Sequence, residues 1–444
     1  MFAQAVLAPG PRPHPLFGHV TAFRKDPFGF LTTAIRDYGD IVGLRLGPRP
    51  ALFLRHPDHI QVLLQAHRDN YVKQPLFRVV FGDGVATANG AAWHRQRRLL
   101  TPWFHPRRVS GAIPVLHDVL NDLVRRWRLL ADSAQPVELL VEMRRLALLF
   151  VARTLLGAEL GSAADGIRRA ADLLQRGMAE RLFRLVRLPL WVPTPGNRTF
   201  LGAVRALDQL AYGLIAERRT ARGTSDDLFR ALLEADGTPA SDRAVRDQVL
   251  TLLFAAYENT GNALTWLCYV LARHREVEER VHDELLATCD GGLPNGEALA
   301  QLRYTRMVVD ETLRLYPTGW IVRVSRAEDM IGAYRVPAST VVFVSPYLTH
   351  RHPQFWPNPE RFDPARFAAG TAPFHAFSYL PFGEGPRQCP GGDYAVVESL
   401  LTVAAVVGHF RLRLVAGQSL EPDPLFSVAP RHGLKVILQS RGNH

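Results

Sequence analysis

Apolar residues recur at three- and four-residue spacing through most of the chain, the signature of amphipathic helices. The clearest runs are PVLHDVLNDLVRRWRLLA (114–131), VELLVEMRRLALLFVARTLLG (137–157) and AVRALDQLAYGLIAERRTA (203–221). A longer helix is predicted from Ser241 to about His274, with Ser241 as its cap and Asp242 in its first turn. Another carries QLRYTRMVVDETLRLY (301–316) and stops at Pro317, which lacks the N–H a helix needs. A strongly apolar helix covers YAVVESLLTVAAVVGHF (394–410), and a short one covers PFGFLTTAIRDYG (27–39). Strand-like patterns are few: IVGLRLGPRPALFLRH (41–56) reads as two strands joined by a Gly-Pro turn, and YRVPASTVVFVSPY (334–347) holds further strand pieces. The stretch HRHPQFWPNPERFDPARF (350–367) is too rich in proline for regular structure. The pattern predicts a mainly α fold with a minor β region. With no linker, repeat or charge block to cut at, residues 1–444 read as a single domain.

Composition narrows this further. A chain of 444 residues that is 47% hydrophobic can bury a large core. The formal charge is +11, and the only lysines are Lys25, Lys73 and Lys435, so the excess is arginine. That excess fits either a genome-wide bias toward arginine codons or a basic face for an acidic partner. No basic stretch interleaved with stacking aromatics is present, which argues against nucleic acid as a partner. Cys268, Cys289 and Cys389 are far apart and odd in number, so a disulfide framework is not expected and a reducing, cytoplasmic setting is. No apolar run reaches the ~18 residues of a membrane span.

The densest chemistry lies in FGEGPRQCPG (382–391), just before a predicted helix. Amides at a helix start favour a thiolate at Cys389, Arg387 adds positive charge, and Gly385, Gly391 and Gly392 let the backbone bend around the sulfur. A nucleophile would need a base nearby, and zinc would need further Cys or His ligands; neither is evident. A heme iron needs only one sulfur, since the porphyrin supplies four ligands. A capping turn with an incidental cysteine is the plain alternative.

The loop is similar to the heme-thiolate loop of the cytochrome P-450 family: Phe, two residues, Gly, any, Arg, any, Cys, any, Gly. Phe382, Gly385, Arg387, Cys389 and Gly391 match it, and Ala395 and Glu398 match its continuation. The resemblance, which spans nearly the whole chain and is to the soluble bacterial type, implies a triangular-prism fold. A heme b would lie between the long helix and the helix after the loop. It implies Cys389 as axial ligand, Phe382 beside the sulfur and Arg387 on a propionate. WHRQR (93–97) matches the family's Trp-three-residues-Arg pattern and implies that Trp93 and Arg97 reach a propionate. His350 is implied near the other one. Val324 stands where the family has a further arginine, with Arg323 beside it and Arg326 two residues further on, so either could take that part. ETLR and PERF imply a buried network of Glu311, Arg314 and Arg361.

On the long helix, FAAYENTGN (254–262) resembles the family's oxygen-side segment. Ala255 and Ala256 are its small residues and Glu258 its acid. Asn259 stands where a threonine is usual, and Thr260 follows one residue late, about 100° around the helix. An amide donates and accepts hydrogen bonds but is no practical proton source at neutral pH. Three outcomes stay open: ordinary monooxygenation by O2, with Glu258 feeding protons; desaturation or coupling; and rearrangement of a ready-made hydroperoxide. The small residues and acid argue against a non-catalytic heme sensor or carrier.

By the same resemblance the pocket draws on Leu76–Val80, Phe183–Trp191, Phe254–Tyr257, Thr318–Val322 and Phe426–Val428. Phe77, Phe254, Tyr257, Trp320, Ile321 and Phe426 are its expected walls. A hydrophobic terpenoid, fatty-acyl or polyketide-like substrate is the default, with Arg78 or Arg184 as possible carboxylate holders. Electrons would come from a ferredoxin or flavodoxin with an NAD(P)H reductase, docking near Arg95, Arg98 and Arg387. A monomer is expected.

Overall fold

Gly47 takes φ +64° and reverses the chain between β1 (Ile41–Leu46) and β2 (Arg49–Leu54), at the predicted Gly-Pro turn. Three distant strands complete the sheet: β3 (Tyr71–Val72), β4 (Ile321–Ser325) and β5 (Val341–Val344). Their order is β1–β2–β5–β4–β3, with β2 and β5 parallel and the other neighbours antiparallel. β5 reads VVFV and is buried at every position, as a strand with both faces covered must be. These coordinates come from a computed structural model that describes residues 6–442, apart from 75–76, 162, 184–187, 221–225, 235–239, 290–291, 372–374 and 425–426.

Helices make up the rest of the scaffold. Those that matter for the site are α1 (Gly90–Leu100), α2 (Ile113–Asp132), α3 (Leu139–Leu155), α4 (Ala163–Phe183), α5 (Pro195–Thr220), α6 (Asp242–Ala255), α7 (Gly261–Arg273), α8 (Arg303–Leu315) and α9 (Gly392–His409). The mainly α expectation holds, with helix ends within a few residues of the periodic runs, except that α5 begins eight residues before its run. Two large apolar cores form among the helices, beside two smaller ones against the sheet. One joins α2, α3, α7, α8 and α9 around Trp127, Phe150, Trp266 and Leu401. The other joins α4, α5 and α6 around Leu174, Phe200 and Val249. α9 has no polar face, and its residues from Leu400 to Val407 are all buried.

The long predicted helix is present, but α6 and α7 are joined by a π turn over Ala256–Thr260. Ser241 caps it, its Oγ accepting from Ala244 N at 3.3 Å. Gly261 follows the turn because α3 crosses there: a Cβ would lie 2.7 Å from Arg144 Cα. A π turn widens the helix by one residue and re-aims its side chains, a device common at functional sites. Here it falls on the segment that carries the oxygen-side residues.

Candidate active site

The thiol loop is held by its own backbone. Cys389 N donates to Phe382 O at 2.9 Å, and Gln388 N donates to Gly385 O at 3.0 Å. Gly385 has φ +76°, and a Cβ there would collide with the carbonyl oxygen of Leu64, so glycine is required twice over. A Cβ on Gly391 would sit 4.0 Å from Cys389 Sγ, and the Phe382 ring packs against Gly392 at the start of α9. The sulfur is accessible, yet protein packs densely around it. Desolvation raises its thiol pKa; the Gly391 N–H and the charges of Arg97 and Lys73 pull the other way.

Around this loop three cations converge. Arg387 stacks on the Trp93 ring at 4.4 Å and donates to Ala88 O and Asn89 Oδ1, each at 3.0 Å. Arg323 is 6% exposed, and burial beside Arg387 depresses it to about 10. Lys73 is pushed well below the usual lysine range, first by Arg323, then by burial and Arg387. No carboxylate of a described residue pairs with any of the three. Arg326 is exposed, so of the two arginines left open in the sequence, Arg323 is the one turned inward. Lys73 was not singled out from sequence; only the folding of β3 against β4 brings it here. Arg97 Nη1 donates to Gln388 O at 2.8 Å and clamps α1 onto the thiol loop.

Behind the loop lies the buried ion pair. Arg314 meets Glu311 through two bonds, Nε to Oε2 at 2.6 Å and Nη2 to Oε1 at 2.8 Å, with both side chains 0% exposed. The third member is not Arg361. That side chain is exposed, and only its carbonyl takes part, accepting from Arg314 Nη2 at 3.1 Å. Arg366 fills the place, its Nε 3.5 Å from Glu311 Oε1. The chain holds two similar tetrapeptides, PERF (359–362) and PARF (364–367), and the 3-10 turn of the second aims its arginine inward.

His350 is also corrected. Its Nδ1 lies 3.0 Å from Arg314 O and its Nε2 accepts from Leu380 N at 2.7 Å, so both nitrogens are used on backbone. It pins the segment leading into the thiol loop onto the ion-pair network and has nothing left for a propionate. Burial lowers its pKa to about 3, which keeps the ring neutral.

Against α6 and the π turn a cavity of about 560 Å³ opens, lined by Phe77, Phe81, Phe254, Trp320 and Phe343 among others. Ala255, Glu258 and Asn259 face it. Glu258 is 1% exposed and burial raises its carboxyl to about 7. Asn259 Nδ2 donates to Ala255 O at 3.1 Å. Several expected wall residues do not reach the cavity. Tyr257 is buried, and its hydroxyl donates to Asp172 Oδ1 at 2.7 Å. Ile321 packs into the core beneath the sheet, while its strand neighbour Val322 lines the cavity, as strand alternation requires. Thr260 is buried and Ala256 half-buried, both off the lining. Phe426, Leu76 and Arg184 lie outside the described residues, and Arg78 is spent on Asp83. The lining adds residues that periodicity could not place: Val20, Phe23 and the Leu46–Arg49 turn.

The sequence model of the family described as Cytochrome P450 matches residues 8–437. The chain belongs to the cytochrome P450 family. This cytochrome P450 is an oxidoreductase of the monooxygenase type. It is 33% identical to the cyclooctat-9-en-7-ol 5-monooxygenase of Streptomyces melanosporofaciens, over 91% of this chain and 89% of that one. It is 32% identical to cyclooctatin synthase of the same organism, over 95% and 93%. It is 28% identical to pentalenene oxygenase of Streptomyces avermitilis, over 98% of both. Among solved structures, retinoic acid bound cyanobacterial CYP120A1 superposes with a TM-score of 0.87 at 25% identity, covering 99% of this chain and 100% of that one.

A cytochrome P450 implies a heme with a cysteine thiolate ligand, and the residues present fit one. The glycine cradle leaves Cys389 accessible. The uncompensated cations Lys73, Arg323 and Arg387 suit two propionates. Members of the family draw on redox partners and O2. Among the described residues, no helix of this cytochrome P450 is long and apolar enough to cross a membrane.

Proposed function

We propose that this cytochrome P450 inserts one oxygen atom from O2 into a cyclic terpenoid, by hydroxylation or epoxidation. The observation that carries the reading is the aromatic cavity over Glu258 and Asn259. Its volume of about 560 Å³ falls within the ~300–1,000 Å³ of small-molecule sites. Its aromatic and aliphatic walls offer burial to a hydrocarbon ring system. The names of three relatives, which act on cyclooctatenol or pentalenene or make cyclooctatin, support the same class.

Heme b, when bound through Cys389, supplies the activation of O2. The chain's own part is to bind, exclude water and handle protons. Phe77, Phe81, Phe254 and Trp320 hold the substrate against Ala255, whose small methyl side chain leaves room. Glu258, with its carboxyl near neutrality, accepts a proton from the water side and releases it to the cavity. Lys73, Arg323 and Arg387 would hold the heme propionates and neutralise their charge. Electrons arrive from a ferredoxin or flavodoxin and its NAD(P)H reductase at a face that includes exposed Arg95 and Arg98.

Asn259 favours a second reading, rearrangement of a substrate that already carries a hydroperoxide. The experiment titrates the ferric protein with cyclic diterpene and sesquiterpene hydrocarbons, then supplies NAD(P)H, reductase and ferredoxin. A spin-state shift followed by a product one oxygen atom heavier is expected. Turnover of a hydroperoxide with neither electrons nor O2 would establish the second reading instead.

A further inference from the structure

Glu258 is paired with an alcohol that does not come from its own helix. Ser427 lies 169 positions along the chain, in the turn before Ala429–Pro430. Its Oγ is 2.5 Å from Glu258 Oε1 and accepts from Asn262 Nδ2 at 2.7 Å. Both Ser427 and Glu258 line the cavity.

The direction of every bond in this chain is fixed from its far end. Arg144 has only donors. Its Nε donates to Asn262 Oδ1 at 3.1 Å, and its Nη1 pairs with Asp172 Oδ1 at 3.1 Å. Asn262 is 0% exposed and must therefore present its NH₂ to Ser427. The Ser427 oxygen then accepts, and its single hydrogen goes to Glu258. A hydroxyl so constrained favours the carboxylate and holds Oε1 in one orientation. The helix offers Glu258 no hydroxyl of its own: Thr251 Oγ1 lines the cavity but donates to Asp247 O at 2.7 Å, Asn259 is turned onto Ala255 and Thr260 is off the cavity.

We propose that Ser427 is the alcohol partner of Glu258, a positioning residue that orients the carboxyl and governs its proton exchange with the cavity. The proposal rests on the assignment of the Glu258 side to O2 chemistry. The groups that act on Glu258 are few. Burial raises its pKa, Arg144 and the bonds from Ser427 and Gln175 lower it, and Asp172 raises it.

The test is an infrared titration of the Glu258 carboxyl in the heme-loaded protein, with Glu258→Gln identifying the band by its loss. Ser427→Ala should raise the midpoint by roughly one pH unit, and Ser427→Thr should restore it. Ser427→Cys keeps the size of the side chain with a much weaker donor, and gives the same comparison if the alanine variant folds poorly. The fraction of reducing equivalents recovered as product should fall several-fold in the alanine variant and recover with threonine. An unmoved midpoint in the alanine or cysteine variant overturns the role of Ser427. Failure of the native chain to take up heme would instead overturn the reading of the site on which it rests.

Discussion

Asn259 Nδ2 donates to Ala255 O at 3.1 Å, one turn back along the same helix and at the edge of the cavity. The amide thus spends a donor on the backbone at the position where the family resemblance leads one to expect a hydroxyl. Asn259→Thr should return a hydroxyl to the cavity wall. The expected result is a higher yield of product per NAD(P)H consumed, by roughly two-fold or more, with substrate affinity little changed. The check is parallel measurement of NAD(P)H loss and product; no change would mean that protons already arrive efficiently by another route.

Glu258 is a carboxyl kept in an unfavourable place. Its folded pKa of about 7 lies above the ordinary 4.5, so the native state binds a proton more tightly than the unfolded chain. Stability from this group is present below pH 4.5 and is lost as pH rises through about 7. Glu258→Gln should therefore raise the melting temperature at pH 8, by an amount worth ~1–3 kcal/mol, while lowering turnover at least ten-fold. Thermal denaturation at two pH values, with and without the substitution, separates the effects.

His350 carries the opposite sign. Its pKa of about 3 lies below the ordinary 6.5, so the unfolded chain takes up a proton that the native state refuses. The protein should lose stability as pH falls below about 6.5, with this residue adding up to ~1.4 kcal/mol per pH unit. His350→Gln should flatten that slope in urea midpoints measured at pH 5 and 7.

Arg366 and Arg361 provide a sharp contrast. Arg366→Ala removes a buried partner of Glu311 and should cost ~3 kcal/mol or more, with poor heme retention. Arg361→Ala leaves its carbonyl in place and should stay within ~0.5 kcal/mol of the native protein. Melting temperature and heme content check both. Equal losses would return the third place in the network to Arg361.

The helices and the thiol loop were legible because their signals are local. Periodicity marks α2 and α3, an apolar run marks α9, and the glycines around Cys389 announce a loop bent close to a sulfur. The π turn was not legible, since AYENT has helix-compatible residues and nothing in its pattern of apolar and polar positions sets it apart from ordinary helix. Arg366 was missed because two nearly identical tetrapeptides compete and only their backbone conformations separate them. Tyr257 and Ile321 sit in segments that do border the cavity, but which face of a helix or strand points inward depends on register. Lys73 reaches the site through a chain crossing and carries no local signal; Ser427 lies in a segment that the family resemblance assigns to the pocket, but its bond to Glu258 depends on a contact 169 positions away.

The most direct measurement is turnover under ¹⁸O₂ with a cyclic terpenoid hydrocarbon, NAD(P)H, ferredoxin and reductase. Insertion through Cys389-bound heme predicts one labelled oxygen atom in the product and none from solvent, with the activity abolished in Cys389→Ala. A product lacking the label, or one formed at the native rate without Cys389, would contradict it.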